Sequence, residues 1–359
     1  MHKQKDSLVF VTDRLKGWRR VARGCGFIYI DQKGKRICDP AALDRIRLLA
    51  IPPAYTNVWI CPLHKGHLQA TGRDAKGRKQ YRYHAAWKKA RDQVKFERLK
   101  TFALMLPAIR RRVQYDLTRK GTTLKAVLAA IVRILDTTAL RVGNDKYSKH
   151  NDSYGLTTLR DRHAQIQADT LKLKFRGKSG VTQQIEITNQ RIARIARRCQ
   201  ELPGQRLFQY INDEGKVQPV RSEHVNAYLH SICSGDFTAK DFRTWHASVL
   251  ALELILHSWR TESKQDSIET TALTLPNLVN LVATSLGNTG SVCRKYYIHP
   301  AVLALCGQST SPPNFLFTPR KKSGLHVSEC ALLQLLSARD QGATLINKNQ
   351  AQTSSRQRQ

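Results

Sequence analysis

The feature that most constrains the fold of this chain is an apolar repeat at helical spacing near its middle. Five aliphatic residues recur every three or four positions, which places them on one side of a helix: Leu124, Val127, Leu128, Ile131 and Leu135. Such a helix is stable only when other elements cover its apolar side, so we predict a core helix with Thr122 or Thr123 as N-cap. We expect it to run up to Gly143, which would end it and leave Arg141 near its C-terminal end.

The N-terminal part of the chain favours short strands. Runs of β-branched and aromatic residues bounded by turn residues predict a hairpin and two further strands: Gly26–Ile30 with Lys35–Ile37, then Val58–Cys61 and His67–Gly72. Pro40–Leu49 has helical spacing and is ended by the prolines that follow it. These residues predict a small module of strands and helix.

The remainder of the chain is predicted to be mainly helical. We expect a hairpin between Leu171 and Ile187, followed by helices over Arg191–Cys199, Ser222–Ile232, from Thr238 onward, and over Ser328–Ser337. The predicted fold class is therefore α+β: a small N-terminal antiparallel sheet domain (1–95), a larger mainly helical domain with a hairpin (96–306), and a C-terminal extension (307–359). From Gln341 onward the polar composition predicts disorder.

The charge balance indicates a polyanionic partner. The chain has 60 Lys and Arg against 27 Asp and Glu, which gives a formal net charge of +33. Such an excess opposes a compact state unless a polyanion is bound, and nucleic acid is the partner that this balance favours. A ribosomal or membrane-surface protein would show the same composition.

Cysteine usage and motif content exclude several other classes. The eight cysteines are scattered and form no CxxC motif, which predicts a reducing compartment and no zinc site. We find no secretion signal and no apolar run long enough to span a membrane, so a cytoplasmic protein is expected. There is no Walker A loop, no GxGxxG motif and no carboxylate cluster for Mg²⁺, so we expect no cofactor and no metal.

A basic run with interleaved aromatic residues follows the predicted N-terminal strands. Between Arg78 and His84, cations alternate with Tyr81 and Tyr83, and a period of two places both tyrosines on one face of a strand. A cation-flanked aromatic face suits phosphate contact, and the Gln80 amide could hydrogen-bond a base edge. An ordinary edge strand with solvated charges explains the pattern equally well.

The stretch Gly287–Pro300 contains two adjacent phenols, two adjacent cations and the amide of Asn288. Its second phenol, Tyr297, is a candidate nucleophile, because a phenol with a pKa of about 10 loses its proton more readily than a serine hydroxyl does. A Tyr-Tyr pair is most often a packing feature, so the interpretation depends on other segments.

Three cations elsewhere are candidate partners of that stretch. Arg243 opens a helix beside a strongly apolar run, and a buried arginine is costly unless it is paired or faces an anion. Arg141, taken alone, is more readily explained by contact with helix-terminal carbonyls. Lys178 lies in an exposed glycine-rich turn, where it is either solvated or a mobile proton donor.

Four segments in a fixed order carry a resemblance to a known family: LRVGN, FRGKSG, KDFRTW and CRKYYIHP. Together they resemble the type IB DNA topoisomerases, most closely the small poxvirus and bacterial form. The N-terminal segments IPPAY, VWI, GHLQATGRD and GRKQYRYH look like the DNA-capping domain of that form. The resemblance covers roughly Gly24 to Cys306.

The resemblance implies a role for each candidate. Tyr297 matches the nucleophile, two residues before His-Pro, whereas Tyr296 stands where relatives usually have Ser. Arg141 and Arg243 match the arginines that hold the scissile phosphate. Lys178 matches the hairpin lysine that acts as general acid.

Further positions follow from the same resemblance. Asn288 stands where poxvirus relatives carry His and several bacterial ones carry Asn, and an amide contributes only a neutral hydrogen bond. Tyr147 matches a tyrosine that supports the phosphate site. The DNA-contacting strand of the capping domain is matched by Arg78, Gln80, Tyr81 and Tyr83.

The resemblance implies an isomerase that relaxes supercoiled double-stranded DNA by transient single-strand cleavage through a 3′-phosphotyrosyl intermediate, without ATP, metal or cofactor. It also implies a monomeric, nucleoid-associated bacterial protein that closes around DNA as a C-shaped clamp. Two alternatives stay open. A tyrosine recombinase shares these residues but usually has His three residues before the second arginine, where this chain has Lys240. A non-catalytic DNA-binding protein explains the charge but not the ordered segments.

Overall fold

The computed structural model describes residues 7–145, 148, 152–262, 273–306 and 313–338. The chain divides into two compact units, Met1–Lys95 and Phe96–Gln359. The first contains a five-stranded antiparallel sheet, and the second is mainly helical with a smaller three-stranded sheet, so the predicted α+β fold class is confirmed. None of the helices in the described ranges is long and apolar enough to cross a membrane. The disorder predicted from Gln341 lies outside the described residues.

The sheet of the first unit has the strand order β2-β1-β3-β4-β5. Its elements in chain order are β1 (Trp18–Arg23), β2 (Gly26–Ile30), helix α1 (Pro40–Leu48), β3 (Thr56–Ile60), β4 (Leu68–Arg73) and β5 (Lys79–Tyr83). Ile46 of α1 packs against Val58, Ile60 and Ala70 and closes a small core on one face. Strand β5 is left at the edge of this sheet.

Strand β1 is not predicted by the sequence, although it is the main partner of β2. It carries three arginines in six residues, WRRVAR, and so lacks the apolar alternation of a half-buried strand. The Arg20 guanidinium donates to the Tyr55 carbonyl at 2.5 Å, a contact that no periodicity signals. The predicted partner, Lys35–Ile37, contributes an isolated bridge through Arg36.

The second unit is assembled around helix α3. Its elements are α2 (Ala85–Asp116, which contains the division between the units), α3 (Leu124–Thr137), β6 (Ala164–Gln167), β7 (Thr170–Arg176), β8 (Thr182–Thr188), α4 (Gln190–Gln200), β9 (Gln209–Ile211), β10 (Val217–Pro219), α5 (Ser222–Ile232), α6 (Ala239–Glu262), α7 (Leu275–Leu286), α8 (Gly290–Tyr296), α9 (Pro300–Leu303), α10 (Asn314–Phe317) and α11 (327–338). The predicted helices α4 to α6, the hairpin β7–β8, α11 and the start of α3 are confirmed within a few residues.

Helix α3 is the predicted core helix, and Thr123 is its N-cap, with its side chain accepting from the Ala126 amide. Ten of its fourteen residues are buried, so neighbouring elements cover it on nearly all sides rather than on one stripe. The segments that precede and follow α3 are therefore positioned by their packing against it.

The predicted extension of α3 to Gly143 is wrong, since the helix ends at Thr137. Thr138 is extended, and its hydroxyl donates at 2.6 Å to a carbonyl of the last turn, which removes the need for another turn. Gly143 (φ +103°) instead allows a close approach to Gly155, where an added Cβ would lie 2.6 Å from Gly143. Arg141 therefore lies in an extended segment after the helix.

A buried ionic cluster joins the C-terminal segment to this core. Arg110 of α2 donates at 2.9 Å to Asp136 of α3 and at 2.8 Å to Glu329 of α11. The Trp245 indole of α6 donates to the same Glu329 carboxylate at 2.9 Å. Burial alone would raise the pKa of Glu329, but hydrogen bonds from Arg110 and Trp245 lower it to about 2. Glu329 is therefore ionised at neutral pH and ties α11 to three other helices.

We expect Glu329→Gln to lower the free energy of unfolding by about 3 kcal/mol at pH 7, because it removes one charge from a buried ion pair. The folded pKa of Glu329 is about 2, below its ordinary value of 4.5, so its contribution is present above pH 4.5 and is lost as the pH falls toward 2. Urea unfolding at pH 7 and pH 3 should show a large difference from wild type at pH 7 and a smaller one at pH 3. Glu253→Gln, an exposed position on α6, is the matched control. Equal effects of the two substitutions at pH 7 would contradict the expectation.

Candidate functional site

Arg243 lies in the first turns of helix α6. The start of this helix is fixed by Asp241, whose carboxylate accepts from the Thr238 amide at 2.8 Å. The Arg243 side chain is buried, with 4% of its surface exposed. It donates to the Ala139 carbonyl and, at 2.9 Å, to the Leu286 carbonyl. No carboxylate within the described ranges forms an ion pair with it.

Arg141 approaches the same place from the extended segment after α3. Its guanidinium donates to the Asn288 side-chain oxygen at 2.5 Å and to the Gly287 carbonyl at 3.4 Å. Burial and, after it, the positive charge of Arg243 together lower the pKa of Arg141 to about 10. Two guanidinium groups are thus held close enough to repel each other, an arrangement that an anion between them would stabilise.

The C-terminal end of helix α7 provides acceptors for both arginines. Gly287 is its C-cap in the left-handed region (φ 57°, ψ 53°), which turns the last carbonyls outward. The carbonyl of Leu286 accepts from Arg243, and that of Gly287 accepts from Arg141. Cations are favoured at this end of a helix dipole. The capping interpretation of Arg141 therefore holds, but for α7 and not for α3.

Tyr297 lies directly after helix α8, against Arg243. The Arg243 guanidinium carbon is 5.2 Å from the centre of the Tyr297 ring, and the two side chains are hydrogen-bonded. Burial lowers the pKa of Arg243, and the nearby Tyr297 phenol opposes that shift. Ser248 of α6 fixes the backbone here, since its hydroxyl donates to the Tyr297 carbonyl at 3.2 Å and accepts from the His299 amide at 3.0 Å. The neighbouring phenol, Tyr296, has Lys295 at 5.4 Å from its ring centre instead.

Asn288 lies beside Arg141 and is the fourth residue of this group. Its side-chain oxygen is committed to Arg141, so its amide nitrogen is the group left to donate. That nitrogen is buried and has no hydrogen-bond partner in the described part of the chain. A buried donor without a partner is uncommon, and an anionic oxygen would satisfy it.

Lys178 lies at the tip of the β7–β8 hairpin, where it is exposed. The tip turns through Ser179 (φ 64°) and Gly180 (φ +79°). Across the described residues, Lys178 has no hydrogen bond or ion pair with the other four candidates. The hairpin does approach them, because a Cβ added at Gly287 would lie 2.7 Å from the Gln183 amide nitrogen of β8.

The DNA-contact candidates of the first unit lie on edge strand β5, except for Arg78, which directly precedes it. Tyr81 and Tyr83 are both exposed and stack with ring centres 6.0 Å apart, as the period-two pattern predicts. Gln80 points to the opposite face and, with Arg78, binds the carboxylate of Asp74. The four residues therefore form two pairs rather than one surface. The remaining candidate, Tyr147, lies outside the described residues.

Sequence reasoning missed three residues that organise these groups: Ser248, Gln183 and Asp74. Each acts through a contact distant in sequence or through a side chain with no distinctive spacing, so only the fold identifies them. In the ranges that the structure describes, no cluster of His, Cys, Asp and Glu could hold a metal ion, and all eight cysteines are unpaired.

Comparison with protein families gives two matches along the chain. Residues 84–310 match the family model of the eukaryotic DNA topoisomerase I catalytic core, and residues 26–74 match that of the bacterial DNA topoisomerase IB N-terminal domain. The first match covers more than half of the chain. Arg141, Arg243 and Tyr297 all lie within it.

Curated relatives agree with these matches. The chain is 31% identical over 295 residues to DNA topoisomerase 1B of Acanthamoeba polyphaga mimivirus, covering 81% of this chain and 88% of that protein. It is 32% identical over 176 residues to DNA topoisomerase 1 of Mycosarcoma maydis, covering 44% and 17% respectively. It is 29% identical over 119 residues to DNA topoisomerase 1B of vaccinia virus, covering 32% and 37%.

The catalytic-core match identifies a type I DNA topoisomerase, an isomerase for which DNA is the implied substrate. The bacterial match and the viral relative define the class more narrowly, and the chain belongs to the type IB DNA topoisomerase family.

Proposed function

We propose that this enzyme relaxes supercoiled double-stranded DNA through a 3′-phosphotyrosyl intermediate formed on Tyr297. The observation that carries the proposal is the contact of Arg243 with the Tyr297 phenol, since it places a guanidinium beside the candidate nucleophile, where it can stabilise the negative charge of the phosphate under attack. Tyr296 lacks such a contact and lies beside Lys295, which supports Tyr297 as the nucleophile.

In the proposed step the Tyr297 oxygen forms a bond to phosphorus while the bond from phosphorus to the 5′-oxygen breaks. The phenol proton passes to solvent, and the leaving 5′-oxygen takes a proton from the Lys178 ammonium group. Religation is the reverse reaction. The phosphotyrosyl bond conserves the energy of the phosphodiester, so no ATP is needed for closure.

Arg141, Arg243 and Asn288 stabilise the charge that develops on the non-bridging oxygens. A guanidinium offers planar pairs of donors that match phosphate oxygens, and preorganised donors of this kind favour the transition state. The mutual repulsion of the two arginines and the unpartnered Asn288 nitrogen are both relieved by a bound phosphate. With three donors fixed around it, the phosphate needs no metal ion in this proposal.

Lys178 must move to act as the acid. Its position on an exposed turn with glycines on both sides suits a side chain that reaches the leaving oxygen when DNA is bound. The Gln183 side chain against Gly287 supports this role, because it holds the hairpin beside the Asn288 loop.

The first unit, in this proposal, is a DNA-capping domain that contacts the duplex through Arg78, Gln80, Tyr81 and Tyr83. The stacked exposed tyrosines suit contact with the sugar-phosphate backbone, and Gln80 suits a base edge. Tyr147 is proposed to support the phosphate site. We further propose that the enzyme acts as a monomer.

The test is relaxation of negatively supercoiled plasmid in EDTA without ATP, followed by mapping of the trapped covalent adduct. We expect full relaxation, and an adduct in which the protein is attached to the 3′ side of the break with a free 5′-hydroxyl. Dependence on Mg²⁺ or ATP, or attachment to the 5′ side, would reject the mechanism. Strand exchange between two duplexes without relaxation would favour a tyrosine recombinase instead.

A further inference from the structure

The turn between β4 and β5 is organised around a single carboxylate, that of Asp74. Its Oδ1 accepts from the backbone amides of Lys76 at 3.0 Å and Arg78 at 2.9 Å. Its Oδ2 accepts from the Arg78 side chain at 2.7 Å and from the Gln80 amide nitrogen at 2.9 Å. One oxygen therefore holds the turn, and the other holds two side chains that are candidates for DNA contact.

The bond to Asp74 fixes which end of the Gln80 amide faces outward. Hydrogen bonds from Arg78, Gln80 and two backbone amides lower the pKa of Asp74 to about 2, so its carboxylate is ionised and can only accept. The Gln80 nitrogen must then face Asp74, whatever the identity of its other neighbours. The Gln80 oxygen is the group left over, and within the described residues it accepts no hydrogen bond.

The negative charge of Asp74 lies among cations. The turn and its flanks carry Arg73, Lys76, Arg78 and Lys79, as a surface for a polyanion would. A carboxylate among them repels phosphate and cancels part of the attraction. The place of this carboxylate is better explained by what it orients than by affinity for DNA.

We propose that Asp74 is a specificity-determining residue that presents the Gln80 amide oxygen to the DNA major groove. An outward oxygen selects a base that offers an exocyclic amino group there, adenine or cytosine, over guanine or thymine, which offer carbonyl oxygens. The inference rests on the proposed function, in which this strand contacts the duplex. It adds the residue that determines whether Gln80 presents a hydrogen-bond acceptor or a donor to the base.

The competing explanation is that Asp74 only stabilises the turn through its bonds to backbone amides. Asp74→Asn separates the two roles. The asparagine oxygen can keep both backbone contacts, as asparagine does in such turns. Its amide nitrogen replaces the oxygen that binds Gln80 and Arg78, so the Arg78 side chain is released. A nitrogen donor then faces the oxygen of Gln80 rather than its nitrogen. The Gln80 amide should therefore rotate and present its own nitrogen to the groove.

The experiment measures covalent adduct formation by the full chain on duplexes in which single positions carry each of the four bases. The position of interest is the one at which the wild type distinguishes between the four bases and the Gln80→Ala variant does not. There we expect the wild type to favour adenine or cytosine by about tenfold. We expect Asp74→Asn to favour guanine or thymine at that position, with an unchanged melting temperature. Unchanged preference in Asp74→Asn would overturn the inference.

Two further variants make the outcomes separable. Asp13→Asn removes another carboxylate of the same unit, one that binds Lys79 and Thr71, and should leave the preference as it is. Asp74→Asn combined with Gln80→Ala should match Gln80→Ala alone, because Asp74 acts through Gln80. If Gln80→Ala changes no preference while adducts still form, the inference fails and the proposed mechanism stands. If no adduct forms with the wild type, the proposed mechanism itself has failed.

Discussion

Tyr297→Phe is expected to abolish plasmid relaxation, with a loss of at least about ten-thousand-fold in the rate of strand cleavage. The substitution removes the oxygen that would bond to phosphorus and keeps the ring that lies 5.2 Å from Arg243. The fold and the affinity for DNA should therefore be preserved. The measurement is relaxation over a wide range of enzyme concentration, together with gel-shift titration of the same preparation.

The matched control is the adjacent phenol. Tyr296→Phe should relax plasmid within a few-fold of the wild-type rate, since Tyr296 lies beside Lys295 and not beside the arginines. If Tyr296→Phe were the inactive variant, the nucleophile would be misassigned and the register of the family motif would have to shift by one residue. If both variants relaxed plasmid, the covalent mechanism would be wrong.

Much of the secondary structure follows from local pattern. The start of helix α3 and both strands of the hairpin β7–β8 have strong periodicity and clear boundary residues, and each is predicted to within a few residues. Strand β1 is not predicted, because its stability derives from a partner strand and from the contact of Arg20 with a distant carbonyl. The end of α3 is misplaced because a threonine hydroxyl, and not a glycine, closes it.

The sequence predicts which residues carry the chemistry of the site better than it predicts how these residues come together in the fold. Burying an arginine at the start of α6 costs free energy, so the sequence alone indicates an unusual role for Arg243. In the structure, Arg243 does contact the Tyr297 phenol. The partner of Arg141 could not be derived, since the acceptors belong to a helix that begins more than a hundred residues later. For Lys178, the local structure is predicted but the contacts of the side chain are not. Its turn is predicted correctly, but turn geometry alone does not say where a long exposed side chain goes when DNA is present.

Arg243→Lys should lower the cleavage rate by about a hundred- to a thousand-fold at saturating DNA. Lysine keeps the charge but lacks the planar fork, and its single nitrogen cannot occupy the positions of both guanidinium nitrogens that donate to Ala139 and Leu286. Single-turnover cleavage measures the chemical step, and DNA affinity should be measured in the Tyr297→Phe background, where no cleavage intervenes. Arg260→Lys, an exposed substitution on the same helix, should change neither quantity.

A loss of stability in Arg243→Lys would also slow the reaction, so the assignment needs a readout that packing alone would not alter. A duplex with a methylphosphonate at the scissile position has one neutral substituent in place of a charged oxygen, and its transition state requires less neutralisation. If Arg243 acts on that charge, the defect of Arg243→Lys should shrink by at least about tenfold on this substrate. A defect of the same size on both substrates would mean that Arg243 supports Ala139 and Leu286, and that Arg141 neutralises the phosphate without it.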